Sequence, residues 1–170
     1  MKAKTIFEGK RVVVLERDDW EFVERKKGKS AVAVAALTGD GKVVLTEQFR
    51  RPVNARVIDL AAGLVGDEDN DDAETTARKE LEEETGYRCA RIERVAAGPS
   101  SPGITSETVA IFVAGGLERA GKGGGVGGEK ITVHEIPQAE VVEWLRKREH
   151  EGTLVDLKVW TGLYFLLKRT

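Results

Sequence analysis

Three glutamates, Glu80, Glu83 and Glu84, stand at i, i+3 and i+4 within Lys79-Glu80-Leu81-Glu82-Glu83-Glu84-Thr85-Gly86-Tyr87. This spacing constrains the chain more than any other feature. A helix through them sets three carboxylates on one face about a turn apart. Like charges so placed cost about 0.2–0.5 kcal/mol per pair on an isolated helix. A divalent cation reverses the sign of that cost, and all-oxygen ligation suits Mg²⁺ or Mn²⁺ rather than zinc. The competing reading is a merely solvated amphipathic face. Context favours the first: Leu81 is an apolar anchor inside the acidic run, and Gly86 suits a left-handed helix end. Upstream, Val57-Ile58-Asp59-Leu60-Ala61 reads as a strand leading into a loop at Ala62-Gly63-Leu64-Val65.

The segment resembles the signature box of the Nudix hydrolases, GX5EX7REUXEEXGU with U a bulky apolar residue. Gly63 matches its opening glycine, and Glu80, Leu81, Glu83, Glu84, Gly86 and Tyr87 match its end in order and spacing. There are three departures. Lys79 stands at the arginine position, Asp71 stands at the first glutamate, and the span from Gly63 to Asp71 is longer than the pattern by two residues. Lysine lacks the bidentate fork of arginine. The extra length falls in Gly66-Asp67-Glu68-Asp69-Asn70, a loop where insertion is tolerated.

The resemblance implies an α/β fold: a Nudix-type α/β/α sandwich with a mixed central sheet over residues 30–170, preceded by an N-terminal β extension over residues 1–29. It further implies that the carbonyl of Ala62 and the carboxylates of Glu80, Glu83 and Glu84 hold Mg²⁺, with Mn²⁺ an alternative. In relatives an acidic residue ahead of a late strand completes the metal site or activates water, and Glu129 matches that position. The base is then Glu129 or a box glutamate such as Glu83.

The single cysteine, Cys89, excludes an intrachain disulfide and suits a reducing cytoplasm, where it is expected to be a small buried hydrophobe. A hydrophobic fraction of 41% and a charged fraction of 33% over 170 residues are those of a soluble, single-domain protein. A formal net charge of −2 predicts no general affinity for nucleic acid or acidic membranes, so a phosphorylated substrate requires local arginine or metal. No apolar run approaches the roughly 20 residues of a spanning helix, and Met1-Lys2-Ala3-Lys4 leads into no signal-like stretch. A soluble, unprocessed chain is expected.

Along the chain, residues 10–16 and 20–25 read as a hairpin turning at Asp18-Asp19, with the apolar-charged alternation of a half-exposed strand in the second. A lone hairpin is marginal and must pack on something. In the pyrophosphatases it resembles, such a sheet pairs with a second subunit, which implies a homodimer through the N-terminal extension. Trp20 is a candidate to stack on a nucleobase; the alternative is core or interface. Residues 30–37 and 42–49, joined through Asp40-Gly41, predict a hairpin of the central sheet. Arg50 and Arg51, before Pro52, form a candidate phosphate clamp, and the matching arginine of ADP-ribose pyrophosphatases contacts substrate.

The central helix is expected to start near Asp71-Asp72 and to hold the sheet through Ala73, Thr76, Ala77 and Leu81. Residues 91–96, 109–117 and 130–136 read as strands. Between the first two, Ser101-Pro102-Gly103-Ile104-Thr105-Ser106-Glu107 resembles a stretch marking the ADP-ribose branch of the family, in which Glu107 is a candidate ligand-orienting residue. Residues 121–129 are glycine-rich, the most flexible stretch, and because a strand follows rather than a helix they are not a phosphate-binding P-loop. The glycines allow the stretch to close over substrate and carry Glu129 inward. A helix begun by Pro137 and another over 154–167, with Leu157, Trp160, Leu163, Tyr164 and Leu167 at helical spacing, are expected to cover the sheet, Trp144 and Trp160 being core. His134 and His150 receive no role.

The chemistry implied is metal-dependent hydrolysis of the pyrophosphate of ADP-ribose or a related nucleoside diphosphate sugar. It gives a nucleoside monophosphate and a sugar phosphate. Alternatives are a Nudix pyrophosphatase acting on nucleoside triphosphates, dinucleoside polyphosphates or capped RNA, and a non-catalytic nucleotide sensor.

Overall fold

A computed structural model describes residues 2–28, 30–66 and 71–168. Of the long acidic loop, Asp67 to Asn70 lie outside the described residues. The chain opens with β1 (Lys4–Glu8), β2 (Val12–Arg17) and β3 (Trp20–Arg25), an antiparallel sheet in the order β1-β2-β3. Asp18 and Asp19 turn the β2–β3 hairpin with φ 53° and 63°, a left-handed pair that aspartate tolerates and whose twist suits the flanking strands. Strand β1 was not expected, because five exposed residues make no two-sided pattern and its order comes from pairing with β2.

The main sheet is mixed, with eight strands among the described residues: β4 (Ser30–Leu37), β5 (Lys42–Arg50), β6 (Ala55–Asp59), β7 (Ala61–Val65), β8 (Tyr87–Pro99), β9 (Thr108–Arg119), β10 (Thr132–Pro137) and β11 (Leu154–Val155). The path is β11-β6-β5-β4-β9-β8, with β10 on β5 and β7 on β4. One edge of β4 is divided: Ser30 to Val34 pair with β7, whereas Ala36 and Leu37 pair with β5. The sheet therefore forks, with Ala62 to Val65 lying in β7 rather than in the expected loop because they pair with β4, and the β6–β7 connection, Asp59 to Ala61, crosses the fork.

Helices α1 (Ala73–Thr85), α2 (Val141–His150) and α3 (Leu157–Leu167) complete three layers. On β4, Ala33 and Ala35 face the core under α2 and α3, while Val32, Val34 and Ala36 face Ala77 and Leu81 of α1. Period-two alternation with both faces apolar explains why this strand reads as one continuous apolar run. The small residues let α3 approach closely, since a Cβ on Gly162 would stand 2.8 Å from Leu60 Cδ1 and 2.9 Å from Ala35 Cβ.

Several expectations at the C-terminal end are corrected. Pro137 ends β10 instead of beginning α2, which starts at Val141. Leu154 and Val155 form β11, parallel to β6, and α3 begins after Asp156, whose carboxylate accepts from the Lys158 amide. Leu157 is 80% exposed and Tyr164 is exposed as well, so the buried stripe of α3 is Val159, Gly162, Leu163 and Leu166. Trp144 and Trp160 are half-buried at the margin of the core rather than inside it.

His134, left without a role by its sequence surroundings, joins a buried ionic hub. Glu47 of β5 pairs with Arg56 of β6, with His134 Nε2 of β10 at 2.8 Å and with Arg148 Nη2 of α2 at 3.1 Å. Burial alone would raise the Glu47 carboxyl, but Arg56, then His134 and Arg148, outweigh it and hold it below its ordinary value. A carboxyl so depressed adds stability above its unfolded value of 4.5 that is lost as pH falls through the lower folded value. We expect Glu47→Gln, which leaves these cations without their counter-ion, to cost about 3 kcal/mol at neutral pH in denaturant titrations. It should also flatten the loss of stability of the native chain below pH 4.5.

Candidate active site

Helix α1 is pinned at both ends. Asp72 Oδ1 accepts from the Thr75 amide at 2.8 Å, and Gly86, at φ 76°, donates its N–H to Glu82 O at 2.8 Å. A side chain at Gly86 would meet the Gly121 carbonyl at 2.4 Å, so only glycine fits. The two departures within the box answer one another: Lys79 Nζ pairs with Asp71.

The buried stripe of α1 contains Thr76, Ala77, Leu81, Glu84 and Thr85. Glu84 is thus a carboxylate on the core face of the helix, only 4% exposed, while Glu80 one turn earlier is half-buried and Glu83 is exposed. Glu84 Oε2 accepts from the Ala62 amide at 3.0 Å. Glu80 lies against Gly63 so closely that a Cβ there would fall 1.7 Å from its Oε1. The opening glycine of the box therefore makes room for a glutamate far along the chain, where any side chain would displace the carboxylate.

The first part of the glycine-rich stretch is hydrogen-bonded to the end of α1: the amides of Gly124 and Gly125 donate to Glu84 O at 2.8 Å and Glu83 O at 3.1 Å, and those of Ala120 and Gly121 donate to Gly86 O. Arg119 Nη1 donates to Thr85 O at 2.9 Å. These groups satisfy carbonyls that the end of a helix leaves open. A Cβ on Gly123 would overlap Thr85 at 2.5 Å, so glycine permits close docking here and not only mobility. The docked stretch sets Glu129, exposed and accepting from the Val126 amide, where its charge acts on Glu84.

Burial first, then the charges of Glu80, Glu129 and Asp59, push the Glu84 carboxyl up to about 8 against the opposing Ala62 hydrogen bond. Asp59, 2% exposed, is raised by burial and by Asp156 while Lys158 opposes. Among the described residues no three His, Cys, Asp or Glu side chains converge as a ready-made metal cage. The donor chemistry nonetheless fits a hard divalent cation: every group is an oxygen, and a cation offsets both the burial and the repulsion that raise Glu84.

The structure thus brings Ala62, Glu80, Glu84 and Glu129 into one electrostatic neighbourhood, with Glu83 on the solvent side of the same helix turn. Arg50, at the end of β5, reaches this neighbourhood through Asp59, its Nη2 3.7 Å from Asp59 Oδ2. Arg51 is exposed in the 3-10 turn that follows. Trp20 and Glu107 lie in the seam between the N-terminal sheet and residues 100–107. Trp20 is 62% exposed and its Nε1 donates to Gly103 O at 3.2 Å; Glu107 pairs with Arg25 at 2.8 Å. Asp59 and Lys158 were missed, although an aspartate inside the apolar run of residues 57–61 was a signal of a buried charge.

A carboxyl whose folded pKa lies above its unfolded value subtracts stability as pH rises between the two. We expect the chain in excess chelator to lose thermal stability from pH 4.5 toward about 8, and Glu84→Gln to remove most of that slope, read from melting midpoints across the interval.

With this geometry in place, likeness to known proteins is informative. The NUDIX domain family model matches residues 27–155. The chain is 33% identical over 156 residues to a methanol dehydrogenase activator of Bacillus methanolicus, covering 87% of this chain and 83% of that protein. It is 38% identical over 116 residues to an ADP-ribose pyrophosphatase of Bacillus subtilis (strain 168), covering 64% and 61%. A GDP-mannose pyrophosphatase of Cronobacter sakazakii is 35% identical over 157 residues, covering 85% and 78%. Among solved structures, an ADP compounds hydrolase shares the fold at a TM-score of 0.64 and 17% identity, over 84% of this chain and 81% of that one. A family model matched across most of the chain, on a fold that sets the box carboxylates beside the opening glycine, means that the chain belongs to the Nudix family.

Proposed function

We propose that this chain hydrolyses the pyrophosphate bond of ADP-ribose or a related nucleoside diphosphate sugar, releasing a nucleoside monophosphate and a sugar phosphate. The observation that carries the reading is the buried Glu84 carboxyl with Glu80, Glu129 and Asp59 acting on it, Asp59 in turn facing the Arg50 guanidinium. Relatives named for ADP-ribose and GDP-mannose support the substrate class.

Mg²⁺, with Mn²⁺ as the alternative, would be held by Glu80, Glu84, Glu83 and the Ala62 carbonyl, neutralising the diphosphate and acidifying a bound water. Glu129 takes the proton of the attacking water, with Glu83 the second candidate for that role. Arg50 steadies a phosphate oxygen, a bidentate task for a guanidinium, and Arg51 extends the basic rim. The bonds of Gly124 and Gly125 to the last turn of α1, and the effect of the Glu129 charge on Glu84, support this role for Glu129.

The N-terminal sheet presents Ile6, Phe7 and Trp20 to solvent, a surface suited to a homodimer in which Trp20 stacks on the base bound by the second copy. Glu107, committed to Arg25, is assigned to holding that sheet in place. No helix among the described residues is long and apolar enough to cross a membrane. With one cysteine and a net charge of −2, we assign the protein to the cytoplasm and give it no nucleic-acid partner.

The test is a panel of nucleoside diphosphate sugars and nucleoside triphosphates with Mg²⁺, products identified by mass. Cleavage of ADP-ribose or GDP-mannose to a monophosphate and a sugar phosphate is expected; turnover of triphosphates alone contradicts the substrate class. Glu129→Gln should lower kcat by about 10²-fold or more with a smaller change in KM, as for loss of a general base. Gly63→Ala, which must displace the Glu80 carboxylate, should lower kcat/KM comparably while the fold is retained by circular dichroism.

A further inference from the structure

Asp59 is the one acidic side chain in the run 57–61 and sits at the sheet fork with 2% of its surface exposed. Its Oδ1 accepts from the Leu60 amide at 2.8 Å, which fixes the direction of its carboxylate. Its Oδ2 meets two cations unequally. Lys158 Nζ lies at 3.2 Å and is itself anchored to Asp156 at 2.6 Å in the first turn of α3. Arg50 Nη2 lies at 3.7 Å, beyond hydrogen-bond length, on a side chain that is 43% exposed. Lys158 is therefore the resident partner, and Arg50 is held by charge alone with its outer part in solvent. The same carboxylate is close enough to the acidic cluster to act on Glu84.

We propose that Asp59 is a positioning residue that holds Arg50 ready for a substrate phosphate, with Lys158 as the standing counter-ion. When a diphosphate arrives, Arg50 turns from Asp59 to a phosphate oxygen. Asp59 is not stranded by that move, because Lys158 stays. Leaving a buried carboxylate unpaired would oppose the transfer, so the second cation is what makes the exchange inexpensive. This rests on the substrate class proposed above, but it concerns the chain's own side chains and is separable from turnover.

The test is a double-mutant cycle between Asp59→Asn and Arg50→Ala, read as kcat/KM for ADP-ribose with saturating Mg²⁺ and as calorimetric affinity for ADP. Asn keeps the volume and the acceptor for the Leu60 amide. Asp59→Asn is expected to lower kcat/KM and ADP affinity about tenfold in the native background and less than about twofold once Arg50 is gone, as for contacting residues whose effects couple. Equal losses in both backgrounds, or none in the native one, overturn the proposal. Lys158→Met supplies the second arm of the cycle should Asp59→Asn fail to fold: about threefold weaker ADP binding with Arg50 present and no change without it supports the exchange, and equal losses overturn it. A chain that binds ADP with the non-additive pattern yet cleaves no nucleoside diphosphate sugar defeats the enzymatic reading and keeps the positioning role. Cleavage with additive losses defeats the positioning role alone.

Discussion

A carboxylate on the core face of a helix is the constraint from which the rest of this structure follows. Removing an ionised carboxyl from water costs several kcal/mol unless protonation, pairing or a metal compensates. Glu84 has one backbone amide and three acidic neighbours instead of a counter-ion. Such an arrangement is a poor way to stabilise a fold and a good way to store affinity for a cation. Everything around it limits relaxation: the capped start of α1 fixes the helix axially, Leu81 and Ala77 fix its rotation, and Gly63 lets Glu80 lie flush against the strand.

The same logic changes what the glycine-rich stretch is for. Docked through main-chain amides on the last carbonyls of α1, it ties the end of the acidic helix to the segment that carries Glu129. Around it, Tyr87 donates to Glu135 at 2.7 Å, Glu135 pairs with Arg119 at 3.0 Å, and Arg119 reaches back to Thr85 O. The bulky residue that closes the box therefore joins this end of the helix to β9 and β10. Elsewhere on the sheet the Glu47 hub ties β5, β6, β10 and α2 together, so the strands flanking the fork are braced a second time.

How much of this was legible in the sequence depended on whether the determinant was local. The central helix, its Asp72 and Gly86 ends, the Asp18-Asp19 and Asp40-Gly41 turns and the apolar run of β4 are set by neighbours a few residues away, and they read correctly. Strands β1 and β11 are ordered by partners distant in sequence, and neither carries a two-sided apolar pattern. Helix α3 was mis-phased because Leu157 and Tyr164 extend an apolar rhythm onto the solvent face. The ionic partners of Glu47 and Asp59 come from separate elements, so no spacing rule links Glu47 to Arg148 or Asp59 to Lys158. Composition alone suggested mobility for residues 121–129; the hydrogen bonds of Gly121, Gly124 and Gly125 to the helix end join residues distant in sequence and follow no local pattern.

Whether Glu84 and its neighbours form a cation site loaded by burial and repulsion is decided by titrating Mg²⁺ calorimetrically into the native chain and into Glu84→Gln, without substrate. Saturable binding to the native protein is expected, with affinity weakened by at least about tenfold in the variant, since even outer partners of a metal site are worth about 10–100-fold. Equal affinity in the two proteins, or no saturable binding to the native one, would contradict a site of this kind.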